Sequence, residues 1–188
     1  MNDFYYSIVL FLHIAGVLGF FVALGFEWTG LRQIGSAIST EQVRGWMGIL
    51  KSVRRAGFIS MLATIISGIL MMVMDPGGAA WIFVSLGALV LVIMLSAALS
   101  GPRMAAIGQA LAAGEGPETK TFHSLANHPI LRISIQTRVA VTLAIVFLMT
   151  VKPDFVGSLI TIGVAIVLGL ASALPMSRRV RAQEGPAD

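Results

Sequence analysis

The chain has 188 residues, of which 56% are hydrophobic before its 20 glycines are counted, and only 12% are charged. A soluble domain carries about 25% charged residues, and a chain this short has too little interior to hide so much apolar surface from water. Composition therefore excludes a soluble globular enzyme and a disordered tail, and leaves the bilayer as solvent. The absence of cysteine removes disulfides, thiolate metal sites, iron–sulfur clusters and cysteine nucleophiles. The formal net charge of +4 is spread between apolar runs, so it reads as membrane topology and no nucleic-acid partner is expected.

A helix crosses a hydrocarbon core about 30 Å thick with about 20 apolar residues. Five segments qualify, at 5–26, 56–74, 79–100, 129–151 and 155–174. The first follows MNDFYYSIVLF, which has no basic n-region and carries Asp3, so it reads as a retained span rather than a signal peptide. Asp75-Pro76-Gly77-Gly78 and Lys152-Pro153-Asp154 are tight turns that make two helical hairpins. The fourth span is the least apolar. Its uninterrupted run covers only 139–151, with Thr142 and Thr150 tolerated.

Lysine and arginine set the expected orientation. Arg32, Arg44, Lys51, Arg54 and Arg55 follow the first span; Arg103, Lys120, Arg132 and Arg138 follow the third; Arg178, Arg179 and Arg181 follow the fifth. Only Lys152 falls on the other side. The positive-inside rule then predicts an all-α, polytopic five-helix bundle, N-out and C-in, forming a single transmembrane domain over 1–188 in a cell (inner) membrane. Tyr5, Tyr6, Trp81 and Phe155 suit the outer interface and Trp28 the inner one. The tail after Pro175 reads as a short solvated end.

Between the first two spans, the spacing predicts a surface helix over 40–52. Ser39 suits its N-cap, with Gln42 as capping-box partner. Val43, Trp46, Met47 and Leu50 form its apolar stripe, with Arg44 and Lys51 off that stripe. This is the pattern of a helix lying in the interface with its cations near anionic lipid headgroups. Small residues mark packing ridges: Ala15, Gly19 and Ala23; Ser60, Thr64 and Gly68; Ala165, Gly169 and Ala173. Such ridges serve a bundle, a homo-oligomer or a membrane-protein partner equally well.

Ionisable residues at membrane depth are costly, which makes each a functional candidate. His13 lies about 8 residues, roughly 12 Å, inside the first span. Gly16 follows at i+3 on the same face, leaving room for a flat or bulky group. An imidazole there suits haem iron, a metal or a proton relay; the packing alternative is a neutral histidine bonded to a serine or carbonyl of another helix. Arg138 lies roughly 20 Å from the outer end of the fourth span, on one stripe with Ser134 and Thr142. A guanidinium there suits a propionate, a substrate carboxylate or a lipid phosphate; the alternative is a cation marking the inner boundary. The offset along the membrane normal between His13 and Arg138, roughly 8 Å, matches a porphyrin or quinone better than a hydrogen bond.

His123 and His128 belong to the cytoplasmic loop and suit capping and surface roles, too distant to complete a bis-histidine haem with His13. Met71, Met72, Met74 and Met149 are soft ligands for Cu(I), but methionine is also ordinary apolar filler, and copper is not the preferred reading. Glu27 suits pairing with a basic loop residue.

Phe11-Leu12-His13-Ile14-Ala15-Gly16 resembles the Leu-His-Ile opening of several bacterial small integral membrane families. These include copper-resistance D-type proteins and HemJ-type protoporphyrinogen oxidases. Arg54-Arg55-Ala56-Gly57 and Met149-Thr150-Val151-Lys152-Pro153 resemble more closely an uncharacterised family of bacterial predicted integral membrane proteins. In HemJ-type proteins the first-span histidine is associated with haem, which the resemblance maps onto His13. The resulting expectation is a small integral membrane protein that binds haem b or takes part in redox chemistry, with His13, Gly16 and Arg138 as its cofactor-binding residues and His13 as metal ligand. The contrasting one is a non-catalytic structural or assembly subunit, or a small carrier.

Overall fold

A computed structural model describes residues 2–74 and 80–183, with side chains described over 4–74 and 80–173. The expected turn at Asp75-Pro76-Gly77-Gly78 and the side chains of Arg178, Arg179 and Arg181 lie outside the described residues. All regular structure among the described residues is helical, and five helices are long and apolar enough to cross a membrane. The contacts divide the chain into two compact units, Met1–Ala79 and Ala80–Asp188. Helix–helix contact along the first two long helices is what makes Met1–Ala79 a unit of its own.

The first unit is an antiparallel pair, α1 (Asn2–Gly35) and α2 (Thr40–Met74). Its register can be read from the close approaches. A Cβ on Gly16 would meet Thr64, one on Gly19 would meet Ser60, one on Gly57 would meet Ala23, and one on Gly30 would meet Leu50. Position n of α1 therefore faces position 80 − n of α2, within one residue. A helix of this length, 34 or 35 residues, spans roughly 50 Å at 1.5 Å per residue, against about 30 Å of hydrocarbon. The pair is longer than any bilayer core.

That length corrects the separate surface helix expected over 40–52. Those residues are the first turns of α2, which continues unbroken to Met74. No helix breaker stands in Lys51-Ser52-Val53-Arg54-Arg55-Ala56. The apolar stripe also has a nearer partner than lipid: Leu50 fills the notch left by Gly30, and Val43 and Leu50 are buried. Ser39 caps α2 as expected, but Gln42 reaches back one residue beyond the N-cap amide that a capping box uses. Ser39 Oγ accepts from the Gln42 amide at 3.2 Å, and Gln42 Oε1 accepts from the amide of Ile38 at 3.2 Å.

The second unit holds α3 (Ala80–Leu95), a π-helical turn (Ser96–Ser100), α4 (Gly101–Ala112), α5 (Lys120–Ala126), α6 (Pro129–Val151) and α7 (Phe155–Gln183). α6 has the bounds predicted for the fourth span. His128 caps it, its Nδ1 accepting from the Ile130 amide at 3.3 Å, and Pro129 occupies a first-turn position where an N–H has no helical partner. Lys152 ends it in the left-handed region, at φ 51°, with its amide donating to Leu148 O at 2.9 Å. Asp154 Oδ1 then starts α7 by accepting from the Gly157 amide at 2.8 Å. Lys152 Nζ lies 5.9 Å from the centroid of the Trp81 ring, so α3 begins where α6 ends. The backbone of α7 stays helical through Pro175 to Gln183.

α6 is the most buried of the five long helices. Leu131, Ile135, Val141, Ile145 and Leu148 are all buried. This explains why the fourth span is the least apolar: much of its surface meets protein, so serine, threonine and arginine find partners there. Phe83, Leu143, Phe147 and Val167 remain exposed on the long apolar helices.

Candidate cofactor site

In the first unit, His13 is half-buried against α2. Its Nδ1 lies 3.0 Å from the carbonyl oxygen of Thr64 and 3.2 Å from Ser67 Oγ. A carbonyl oxygen only accepts, so Nδ1 carries the proton. The Ser67 hydroxyl donates to Ala63 O at 2.6 Å, which commits its single hydrogen and turns a lone pair toward Nδ1. Both neighbours of Nδ1 are acceptors. In the neutral ring Nε2 is then the basic nitrogen, and it makes no hydrogen bond among the described residues.

Gly68 allows this approach. A Cβ there would lie 3.3 Å from His13 Cε1 and 3.5 Å from Nδ1, so the ring rests against α2 where a side chain would otherwise stand. Gly16 behaves differently from the expectation. A Cβ on it would fall 2.5 Å from Thr64 Oγ1 and 2.9 Å from Ser60 O. The space beside His13 is filled by α2, and Gly16 is a helix-contact glycine rather than the floor of an open cavity.

The second unit contains the Arg138 cluster. Ser134, Arg138 and Thr142 are all buried, so their shared stripe faces protein. Arg138 Nη1 donates to Ser96 Oγ at 3.3 Å and Nη2 to Ser100 Oγ at 3.5 Å. Ser134 Oγ donates to Leu95 O at 3.3 Å and lies 2.9 Å from Ser100 Oγ. Each hydroxyl has one hydrogen, so the direction is fixed: Arg138 donates to Ser100, Ser100 to Ser134, and Ser134 to Leu95 O. The acceptors surround the π-helical turn, whose Gly101 amide reaches Ser96 O five residues back. Such turns interrupt the α-helical ladder and often mark functional positions.

Comparison with protein-family profiles, curated proteins and solved structures finds no match.

His13 and Arg138 thus belong to different units, His13 meeting a carbonyl and a hydroxyl and Arg138 meeting two hydroxyls. The histidine alternative given by the sequence, a bond to a serine or carbonyl of another helix, is present, but it engages only Nδ1. Met71 and Met72 are half-buried and Met74 is exposed at the end of α2. Among the described residues no group of three or more histidine, aspartate or glutamate side chains comes together. His123 is exposed on α5 and Glu27 is buried on α1. Ser67, Ser96 and Ser100 were not singled out from sequence. A signal for the last two existed: Pro102, lacking an N–H, leaves a carbonyl one turn earlier without its donor.

Proposed function

We propose that the chain is a multi-pass integral membrane protein of a cell membrane, N-terminus outside and C-terminus cytoplasmic, that binds haem b through His13 and serves electron transfer or haem handling. The observation that carries the haem part is the commitment of His13 Nδ1–H to a backbone carbonyl. Metal-ligating histidines almost always donate their other ring N–H to a carboxylate, carbonyl or water, which fixes the ring and raises ligand basicity. In His13 that arrangement stands assembled from α1 and α2, with Nε2 left as the ligating atom. The Leu-His-Ile resemblance of the first span supports the same reading. The orientation rests on the twelve basic residues placed on one side of the five apolar segments.

Haem b supplies one-electron chemistry when bound. The chain's own part is to present Nε2 and to hold the imidazole plane through Thr64 and Ser67. Gly16 is not part of this proposal, because α2 occupies the space beside it. The test is the absorption spectrum of detergent-purified protein expressed with haem supply. A Soret band is expected in the wild type, lost in His13→Ala and kept in His123→Ala and His128→Ala. No band in the wild type, or an unchanged band in His13→Ala, overturns the reading.

A second reading is a non-catalytic structural or assembly subunit. It is favoured by the close packing of Gly16 and Gly19 on α2 and by the Arg138 bonds that brace the π-helical turn. Here His13→Ala leaves spectra and cellular phenotype unchanged, while bulky substitutions at Gly19 and Gly169 disrupt assembly.

A further inference from the structure

We infer that Ser67 is a positioning residue for His13: it supplies a second acceptor to Nδ1–H and thereby sets the donor strength of Nε2 toward iron. The inference rests on the haem reading for its redox consequence, and on unit-one geometry alone for its tautomer. Two acceptors converge on one N–H, Thr64 O at 3.0 Å and Ser67 Oγ at 3.2 Å. The role of Ser67 is fixed by chemistry rather than choice of rotamer label. Its hydrogen is spent on Ala63 O at 2.6 Å, so the oxygen faces the imidazole as a lone-pair acceptor.

Ser67 is itself buried, so water does not readily substitute for it. An N–H drawn toward two acceptors leaves more electron density on the ring and makes Nε2 the stronger donor. A stronger donor favours the ferric over the ferrous state and lowers the reduction potential. Thr64 contributes through its backbone and cannot be removed by substitution. Ser67 is the part of the pair that a mutation can reach.

The experiment has two arms. In the first, metal-free protein labelled with nitrogen-15 at histidine is examined by NMR, with His13 assigned by the signal lost in His13→Gln. The expected spectrum shows Nδ1 protonated and Nε2 as the unprotonated nitrogen; protonated Nε2 overturns the inference. In the second, Ser67→Ala is expected to retain haem at wild-type stoichiometry with its reduction potential shifted upward. Ser67→Thr, which restores a hydroxyl, returns the potential toward wild type. An unchanged potential in Ser67→Ala overturns the positioning role. The two failures separate cleanly. A protonated Nδ1 in a wild type that retains no haem rejects the haem reading and leaves the tautomer standing; haem retention with an unmoved potential keeps the haem reading and rejects the positioning role of Ser67.

Discussion

His13 on α1 and Thr64 on α2 are joined by a 3.0 Å bond from imidazole Nδ1 to a main-chain carbonyl, 51 residues away in sequence. That carbonyl belongs to a helix, so the ring is held to a backbone that does not swing with a side-chain rotamer. The bond depends on Gly68. Adding a methyl there places Cβ 3.3 Å from His13 Cε1, and the ring must move by a few tenths of an ångström. Gly68→Ala is therefore expected to lengthen the Thr64 bond and cost up to about 1 kcal/mol, the net worth of one hydrogen bond. Thermal denaturation in detergent measures the cost, and the nitrogen-15 spectrum of His13 reports the displaced ring.

Gly16 and Gly25 make a matched pair for the α1–α2 contact. A Cβ on Gly16 would stand 2.9 Å from Ser60 O and 3.0 Å from the Thr64 amide nitrogen, both main-chain atoms. A Cβ on Gly25 meets nothing within 4 Å. Gly16→Ala should destabilise by about 1–3 kcal/mol, as overpacking does. Gly25→Ala should be neutral or slightly stabilising, because alanine is the better helix former by roughly 1 kcal/mol. Equal melting temperatures for the two variants would contradict the register.

Gly169 and Gly163 repeat the comparison on α7. A Cβ on Gly169 would fall 2.6 Å from Thr137 Cα, whereas Gly163 has open space. Gly169→Ala should lower the melting temperature of the detergent-solubilised protein, by about 1–3 kcal/mol of stability, with Gly163→Ala unchanged or raised.

The helices were legible from sequence where lipid sets the rule, because apolar runs about 20 residues long have no other stable fate in a membrane protein. α6 was placed to the residue because His128, Pro129 and Lys152-Pro153-Asp154 are local signals that act through the backbone. The surface helix was misjudged for the opposite reason. An amphipathic stripe records that an apolar face is covered, not by what, and Val43 and Leu50 are buried beside α1. The site shows the same division. His13 and Arg138 stand out because ionisable groups are scarce in apolar runs, whereas Ser67, Ser96 and Ser100 acquire meaning only from neighbours 34–54 residues away. Gly16 looked like room beside His13, but a missing side chain does not say whether a cofactor or a helix fills the gap.

Arg138 donates to Ser96 and Ser100 from a buried position. Arg138→Met keeps much of the apolar stem and removes both bonds. The expected loss is roughly 2–3 kcal/mol, since hydrogen bonds to charged groups are worth more than neutral ones. Ser100→Ala, which breaks the Arg138–Ser100–Ser134 chain at its middle, should cost about 1–2 kcal/mol. Hydrogen exchange over 95–101 tests the bracing role directly. Exchange there should quicken in both variants; if it stays at the wild-type rate while stability falls, the serines are not what holds the turn.

The proposed orientation is open to an accessibility experiment, because the chain contains no cysteine and each introduced thiol reports alone. Ile38 is 91% exposed in the turn between α1 and α2, and Glu118 and Asp154 are exposed in the turns before α5 and α7. Translocating the basic segments flanking the first and third spans is disfavoured, whereas the turn at Lys152 carries one cation. Ile38→Cys and Glu118→Cys should therefore react with a membrane-impermeant maleimide only after spheroplasts are lysed, and Asp154→Cys before lysis. The last variant loses the Gly157 amide cap, at a cost of about 1 kcal/mol, which Asp154→Ala would reproduce without the thiol. Labelling of Ile38→Cys in intact spheroplasts, with Asp154→Cys protected, would invert the topology and place His13 nearer the cytoplasmic face.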